Sequence, residues 1–187
     1  NAHTDEYGTV IQPNAQPGDI RFKDLNHDGK LDDNDKTFIG NAFPDLMVGI
    51  NARLAWKNID FAANFYGTIG NDVYNTTKGR YSGVSGENVY AGTYNASWHG
   101  EGTSYDLPRL SYNDANQNWT RVSSFYVEDG SYLRCKQLQI GYTLPKKWTK
   151  KISLRLSFSA QNPFTITGYS GMDPEAAALG TEGKVTE

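Results

Sequence analysis

Residues 46–69 read LMVGINARLAWKNIDFAANFYGTI and contain two segments in which apolar side chains recur at every second position. The first segment is Leu46–Trp56, and the same alternation recurs in Ile59–Ile69. Because successive side chains of a strand point to opposite faces, this period of two predicts two strands, each with one apolar face. The dipeptide Lys57-Asn58 between them leaves room only for a tight connection, so residues 46–69 are predicted to form an antiparallel β-hairpin.

A second hairpin is predicted over residues 131–162. Alternation in Tyr132–Leu144 is followed by a short turn at Pro145–Lys150, and Ile152–Gln161 then shows the most regular apolar–polar pattern in the sequence. Residues 70–130 connect the two hairpins through about 60 positions rich in Gly, Asn, Ser, Tyr and Trp, which is unusually long for a compact soluble domain.

The composition favours an all-β fold. Of 187 residues, 13% are aromatic, with 12 Tyr and 19 Gly, which is typical of strands and turns rather than of a helical bundle. The formal net charge is -3 and Lys and Arg are scattered, so no basic block indicates nucleic-acid binding. The single Cys135 excludes an internal disulfide and is expected to be a small packed strand residue.

Two classes of β-protein fit this pattern, a soluble β-sandwich and a transmembrane β-barrel. No apolar run approaches the length of about 18 residues that a membrane-spanning helix needs, whereas barrel strands need only about ten alternating residues. Short turns at one end of the strands and a long connection at the other favour the barrel. Trp56 and Trp148 lie beside the short turns, where an aromatic girdle is expected.

Residues 24–35 read DLNHDGKLDDND and predict a calcium-binding loop. Oxygen-bearing side chains occupy positions 1, 3, 5, 9 and 12 of the loop, and Gly29 lies at the sixth position, where such a loop turns sharply. The predicted ligands are Asp24, Asn26, Asp28, Lys30 through its backbone carbonyl, Asp32 and Asp35. The short Asp35 at the last position indicates a structural site of moderate affinity, and the alternative is a solvated acidic turn.

Aromatic residues among the amides of the long connection are candidates for contact with a sugar or with a covering protein. The candidates are Trp98, Tyr105, Tyr112 and Trp119. Arg109 is expected to pair with an acidic residue in a structural role. None of the three histidines has an obvious nucleophile beside it in the sequence, so no catalytic residue is predicted and the chain is not expected to be an enzyme.

Four segments carry a resemblance to a known family. PGDIRFKDLNHDGKLDDNDKTFIGNAFPD at 17–45, the pair Pro108-Arg109, SSFYVEDGSYLRCKQLQIGYTLP at 123–145 and QNPFTITGYSGMDPE at 161–175 occur in this order. Together they resemble the C-terminal portion of the SusC/RagA-like TonB-linked outer-membrane proteins of Bacteroidetes, and they cover most of the chain.

The resemblance implies a 22-stranded transmembrane barrel with an N-terminal plug, located in the outer membrane of a Gram-negative bacterium. It also implies import of oligosaccharides or oligopeptides with energy from the TonB complex, which would act through the N-terminal part. A SusD-like surface lipoprotein would cover the extracellular loops. Because four strands cannot close a barrel, the remainder of the barrel is an expected partner.

On this interpretation the chain divides into five segments. These are a loop region at 1–45 with the calcium loop at 24–35, a barrel hairpin at 46–69, a long extracellular loop at 70–130, a second barrel hairpin at 131–162, and an extracellular loop at 163–187 that leads to a final strand not seen in the sequence. The alternative from a different class is a soluble, secreted, calcium-stabilised carbohydrate-binding β-domain.

Overall fold

The chain forms two compact units in a computed structural model that describes residues 3–80, 88–89, 91–104, 106–150 and 152–175. Unit 1 consists of Asn1–Gly40, Tyr74–Val127 and Gly183–Glu187, and unit 2 consists of Asn41–Val73 and Glu128–Glu182. No helix in the described ranges is long and apolar enough to cross a membrane.

Unit 2 contains a four-stranded antiparallel sheet with the order β1-β2-β5-β6. The strands in chain order are β1 Leu46–Trp56, β2 Ile59–Ile69, β3 Asp72–Tyr74, β4 Val127–Asp129, β5 Tyr132–Thr143 and β6 Arg155–Thr167. The short strands β3 and β4 pair with each other. The helical segments are α1 Thr77–Arg80, α2 Ala91–Ala96, α3 Lys146–Thr149 and the 3-10 turns Asp33–Asp35 and Ser124–Tyr126. Both predicted hairpins are therefore confirmed.

The strand register places apolar residues opposite apolar residues throughout the sheet. Leu54 pairs with Phe61, Phe61 with Ile140, and Ile140 with Phe158, so these four side chains form one row across the strands. We call the surface that contains this row the apolar face. The neighbouring row on the opposite surface, the polar face, contains Arg53, Ala62, Gln139 and Ser159. The predicted division of each strand into two faces is thus confirmed.

A β-bulge at Lys136 interrupts this alternation in β5. Cys135 and Gln137 pair with the consecutive residues Phe65 and Asn64 of β2, so Lys136 is an extra residue without a register partner on that strand. Beyond the bulge the parity changes, and Cys135 joins the apolar face while Arg134 turns to the polar face. Cys135 is 0% exposed, which confirms its prediction as a packed strand residue.

The second hairpin extends further than the sequence indicated. β6 ends at Thr167, so the predicted boundary between a hairpin at 131–162 and a loop at 163–187 is wrong by several residues. Asn162 has a φ of +47° and is followed by Pro163, which cannot donate a ladder hydrogen bond. These two residues lie opposite the bulge and resemble the end of a strand, although pairing resumes at Phe164.

The connection at 70–130 is more ordered than its composition suggested. The described part of this segment contains β3, α1, α2, a 3-10 turn and β4, all of them short. Elements of three to six residues are too brief to show a period of 2.0 or 3.6 in the sequence.

Substitutions of Gly67 and Gly49 test whether the close approach of neighbouring backbones in the sheet requires glycine. A Cβ at Gly67 would collide with the backbone oxygen of Tyr132, whereas a Cβ at Gly49 would meet nothing within 4 Å. We expect Gly67→Ala to lower the free energy of unfolding by about 1–3 kcal/mol, because a backbone atom cannot move aside. The matched Gly49→Ala should be neutral or stabilising by a few tenths of a kcal/mol up to about 1 kcal/mol. Denaturant titration of both variants measures the difference, and equal effects would contradict it.

Candidate functional site

The predicted calcium loop begins at a buried carboxylate. Asp24 is 6% exposed and accepts hydrogen bonds from the backbone N–H groups of His27 at 2.7 Å and Gly29 at 2.9 Å. Gly29 has a φ of +80°, a left-handed conformation that glycine adopts without strain. The sharp turn predicted at this position is therefore confirmed, and it brings the middle of the loop against its first predicted ligand.

A second buried carboxylate, Asp35, closes the loop. It accepts hydrogen bonds from the N–H groups of Leu25 at 2.8 Å and Asp32 at 2.9 Å. Burial raises the pKa of Asp35, but these N–H groups, that of Asn26 and the Asp24 side chain outweigh burial and hold the pKa below its ordinary value. The loop backbone therefore favours a charged Asp35.

The other predicted ligands lie at the surface of the loop. Asn26 accepts a hydrogen bond from the N–H of Asp28 at 3.0 Å, and Asp28 accepts from the N–H of Lys30 at 2.9 Å. Asp32 caps the first 3-10 turn by accepting from the N–H of Asn34 at 2.8 Å. Each of these contacts is also typical of a turn without a bound ion.

The chemistry of the predicted ligands fits a hard cation, because every donor is a carboxylate, amide or carbonyl oxygen. The Asp24 and Asp35 side chains approach each other inside the loop. Across the described ranges, however, no group of three or more His, Cys, Asp or Glu side chains is close enough together to hold a metal ion. The ligand set therefore stays a prediction, and binding would require the surface ligands to close over the two buried carboxylates.

Trp98 is the predicted contact residue that lies in a concave surface. Its indole packs against Gly18, where any Cβ would overlap the ring. The cleft beside it, in unit 1, has a volume of about 350 Å³. Its other walls include Ile20, Leu107, Pro108 and Phe125. Asp19 and Asp106 also line the cleft, so its walls are partly apolar and partly acidic. An indole ring in such a cleft can contact the apolar side of a small ligand or a side chain of a partner protein.

The other three predicted contact residues have different placements. Tyr112 is 69% exposed and available to a partner. Trp119 is only 5% exposed, and its ring N–H donates to the carbonyl of Arg109 at 3.4 Å, so it is a core residue in this arrangement. Tyr105 lies outside the described residues.

A buried amide network, which the sequence patterns did not reveal, organises unit 1. At its centre Asn118, only 1% exposed, accepts from the N–H of Ile20 at 2.8 Å and donates to Asp19 at 2.7 Å. Gln12 extends the network by donating to Asn116 at 2.9 Å. These bonds tie the N-terminal segment to the long connection.

Two charged side chains complete this network. Arg109 donates to Asp19 at 2.6 Å, which confirms the predicted pairing of this arginine with an acid. Asp114 accepts from the N–H groups of Asn118 at 2.8 Å and Trp119 at 3.0 Å. The one signal in the sequence is the density of amides and acids in NDANQNW at 113–119, which by itself indicates only a turn.

Two of the three histidine rings lie against oxygen atoms. His3 Nδ1 lies 3.0 Å from Gln12 Oε1, and His99 Nδ1 lies 2.9 Å from the carbonyl of Ser97. His99 also stacks on Tyr94 with 5.3 Å between ring centroids. These are structural contacts, and the interpretation of the chain as a non-enzyme stays a prediction from the sequence.

The chain resembles receptors and importers of known sequence or structure. It is 37% identical over 170 residues to TonB-dependent receptor P3 of Formosa agariphila, a match that covers 89% of this chain and 16% of that protein. It is 25% identical over 173 residues to the TonB-dependent receptor SusC of Bacteroides thetaiotaomicron, covering 90% of this chain and 16% of SusC. The RagAB peptide importer in its closed-closed state matches with a TM-score of 0.57 at 24% identity, covering 72% of this chain and 15% of that one. No family model matches the chain.

The structural likeness to RagAB identifies the four-stranded antiparallel sheet of this chain, with its apolar and polar faces, as a segment of the wall of a large β-barrel. Over about nine tenths of its length the chain is similar to TonB-dependent receptors, SusC among them. It spans about 16% of the length of the curated relatives it matches.

Protonation of Tyr126, which is bonded to the backbone of Trp119 beside the amide network, makes the stability of the fold depend on pH. Its hydroxyl donates to the carbonyl of Trp119 at 2.6 Å, and burial, with smaller contributions from Tyr74 and Asp114, raises its pKa to about 12. The pKa of a tyrosine in the unfolded chain is about 10. The stabilisation of the fold by the neutral Tyr126 hydroxyl is therefore complete below about pH 10 and is lost as pH rises through the pKa of the folded state. We expect Tyr126→Phe to remove this part of the pH dependence and to cost about 1 kcal/mol at neutral pH.

Denaturant titrations of both proteins between neutral and strongly alkaline pH measure this difference. Tyr112→Phe, at an exposed tyrosine, is the matched control and should retain the full alkaline dependence. Identical pH profiles for wild type and Tyr126→Phe would contradict the assignment.

Proposed function

We propose that this chain forms part of the barrel wall of a TonB-dependent importer in the outer membrane of a Gram-negative bacterium of the Bacteroidetes. The apolar face carries the proposal. It crosses all four strands, and Leu54 and Phe158 on the two outer strands are 68% and 70% exposed. An open apolar surface of this extent is stable against hydrocarbon and unfavourable in water.

The orientation of the strands follows from their connections. In bacterial outer-membrane barrels the short turns face the periplasm and the long loops face outward. The Lys57-Asn58 turn and the turn that contains α3 are therefore periplasmic, and residues 70–130 are extracellular. Trp56 and Trp148, both exposed beside the short turns, would lie at the periplasmic interface of the bilayer.

The proposed substrates are oligosaccharides or oligopeptides, taken up together with a SusD-like surface lipoprotein. The similarity to SusC and to the RagAB peptide importer supports this assignment. Trp98 in its cleft and the exposed Tyr112 are the side chains that we assign to contact with substrate or lipoprotein. Energy would come from the TonB complex through parts of the receptor other than this sheet.

Calcium is proposed as a structural ion of the extracellular loop at 24–35. Two of its carboxylates are already buried and hydrogen-bonded by the loop backbone, as described above. A bound cation would be attracted to both carboxylates and would draw in the oxygens of Asn26, Asp28, Lys30 and Asp32. The ion would stabilise the loop and take no part in a reaction.

Neighbouring residues of β6 test the membrane assignment. Phe158 belongs to the apolar face and Ser159 to the polar face, so the two positions differ in environment and hardly in depth. We expect Phe158→Arg to cost about 2–4 kcal/mol near the bilayer midplane and to reduce the assembled receptor in the outer membrane. Ser159→Arg, the matched control, should assemble normally. The heat-resistant fraction of full-length receptor in isolated outer membranes measures both.

Two outcomes would contradict the membrane assignment. One is equal assembly of the Phe158→Arg and Ser159→Arg receptors. The other is a monomeric, folded chain that melts in one cooperative transition without detergent, which would instead support the soluble carbohydrate-binding alternative.

Asp28 gives the sharpest test of calcium binding, because its side chain is exposed and makes no contribution to the buried carboxylate pair. We expect Asp28→Ala to abolish calcium binding and to increase amide exchange in residues 17–41, since one ligand and its charge are lost. Asp33→Ala, at a non-ligand position of the same loop, is the control and should bind normally. Calorimetric titration of the chelator-treated protein measures binding, and the absence of a binding heat for the intact protein would exclude the site.

A further inference from the structure

Residues 168–175, which follow β6, fold back across the polar face of β5. We call this segment the strap. Its two acidic side chains, Asp173 and Glu175, both contact Arg134 of β5. A chain that leaves the end of a strand and returns over the sheet needs such attachments, because an unattached loop of this length would remain in solvent.

The main attachment is a fork of ion pairs on Arg134. Its two terminal nitrogens each donate at 2.6 Å, one to Asp173 and the other to Glu175. The remaining Nε donates to Thr165 of β6 at 2.9 Å. The Arg134 side chain is only 10% exposed, so the strap supplies the partners of a nearly buried cation.

The bulge in β5 makes a second cation available to the strap. Lys136 Nζ lies 2.9 Å and 2.8 Å from the two carboxylate oxygens of Glu175. Continued alternation from Leu138 would have turned Arg134 to the apolar face, and the bulge instead brings it to the polar face. The bulge therefore places on the polar face the two cations that the strap binds.

The strap is also attached near its beginning. Ser170 donates its N–H to Glu128 at 2.9 Å and its hydroxyl to the same carboxylate at 2.8 Å. Tyr169, just before it, donates its N–H to Thr167 at 3.1 Å. Attachment at both ends confines the intervening residues to the surface of the sheet.

We propose that the strap is a fixed part of the lumen wall, which narrows the barrel near its extracellular end and covers two cations that would otherwise face the passing solute. The proposal rests on the proposed function, because only in a barrel is the polar face the lumen side. The two carboxylates of the strap balance the charges of Arg134 and Lys136, so these two cations present little net charge to the lumen. Because the carboxylates belong to the same chain, their high effective concentration disfavours displacement by free anions.

Two variants of the full-length receptor test the attachment. We expect Asp173→Asn combined with Glu175→Gln to accelerate amide exchange in the strap by about tenfold for each charge-assisted hydrogen bond lost. Glu175→Gln alone keeps the Arg134–Asp173 pair and should give a smaller acceleration, which preserves the test if the double variant does not assemble. Asp33→Asn with Glu101→Gln removes two exposed charges elsewhere and is the matched control. Exchange in the strap that is unchanged by these substitutions, or already unprotected in wild type, would overturn the attachment.

Size-selective labelling tests whether the strap lies inside the lumen. Met172 is fully exposed within the strap, so Met172→Cys should react with a small maleimide. A maleimide on a large polyethylene glycol should be excluded from it and should still label Glu101→Cys, at an exposed position of the long loop. Equal labelling of both cysteines by the large reagent would overturn the lumen position. This outcome is distinguishable from failure of the membrane assignment, which the Phe158→Arg comparison reports independently.

Discussion

The antiparallel register of the sheet is the constraint on which the structure of unit 2 depends. Side chains alternate with a period of two, so a slip of one residue between β2 and β5 would turn Phe61 and Ile140 to opposite faces. The Lys136 bulge is an exception to this alternation. It shifts the pattern by one residue, so that apolar side chains on both sides of the bulge in β5 lie on the apolar face. With that adjustment the apolar surface, which crosses all four strands, continues along the full length of β5.

Unit 1 is organised by a different interaction. Its buried residues include Gln12, Asn116 and Asn118, whose amides bond to each other and to backbone in place of an extensive apolar core. Buried amides specify geometry more narrowly than apolar contacts, because each unpaired donor or acceptor is costly. A long loop held in this way can present a rigid surface in water while containing few aliphatic residues.

Paired carboxylates hold one segment in each of the two units. The acids of the predicted calcium loop are held by backbone N–H groups, and the acids of the strap are held by Arg134 and Lys136. In each case carboxylates stabilise a segment that has little apolar surface of its own to bury. Loops that must face water on one side are stabilised effectively by such polar contacts.

The sequence by itself determined the two hairpins, the division of their faces and the position of the Gly29 turn, because each depends on residues that are close together in the chain. It also carried the family resemblance. Only the tertiary structure decided the bulge at Lys136, the extension of β6, the burial of Trp119 and the pairing of Arg134 with the strap. Those features depend on partners far apart in sequence, as in the bond between Asn118 and Ile20, and no local period records which distant residue satisfies a buried polar group.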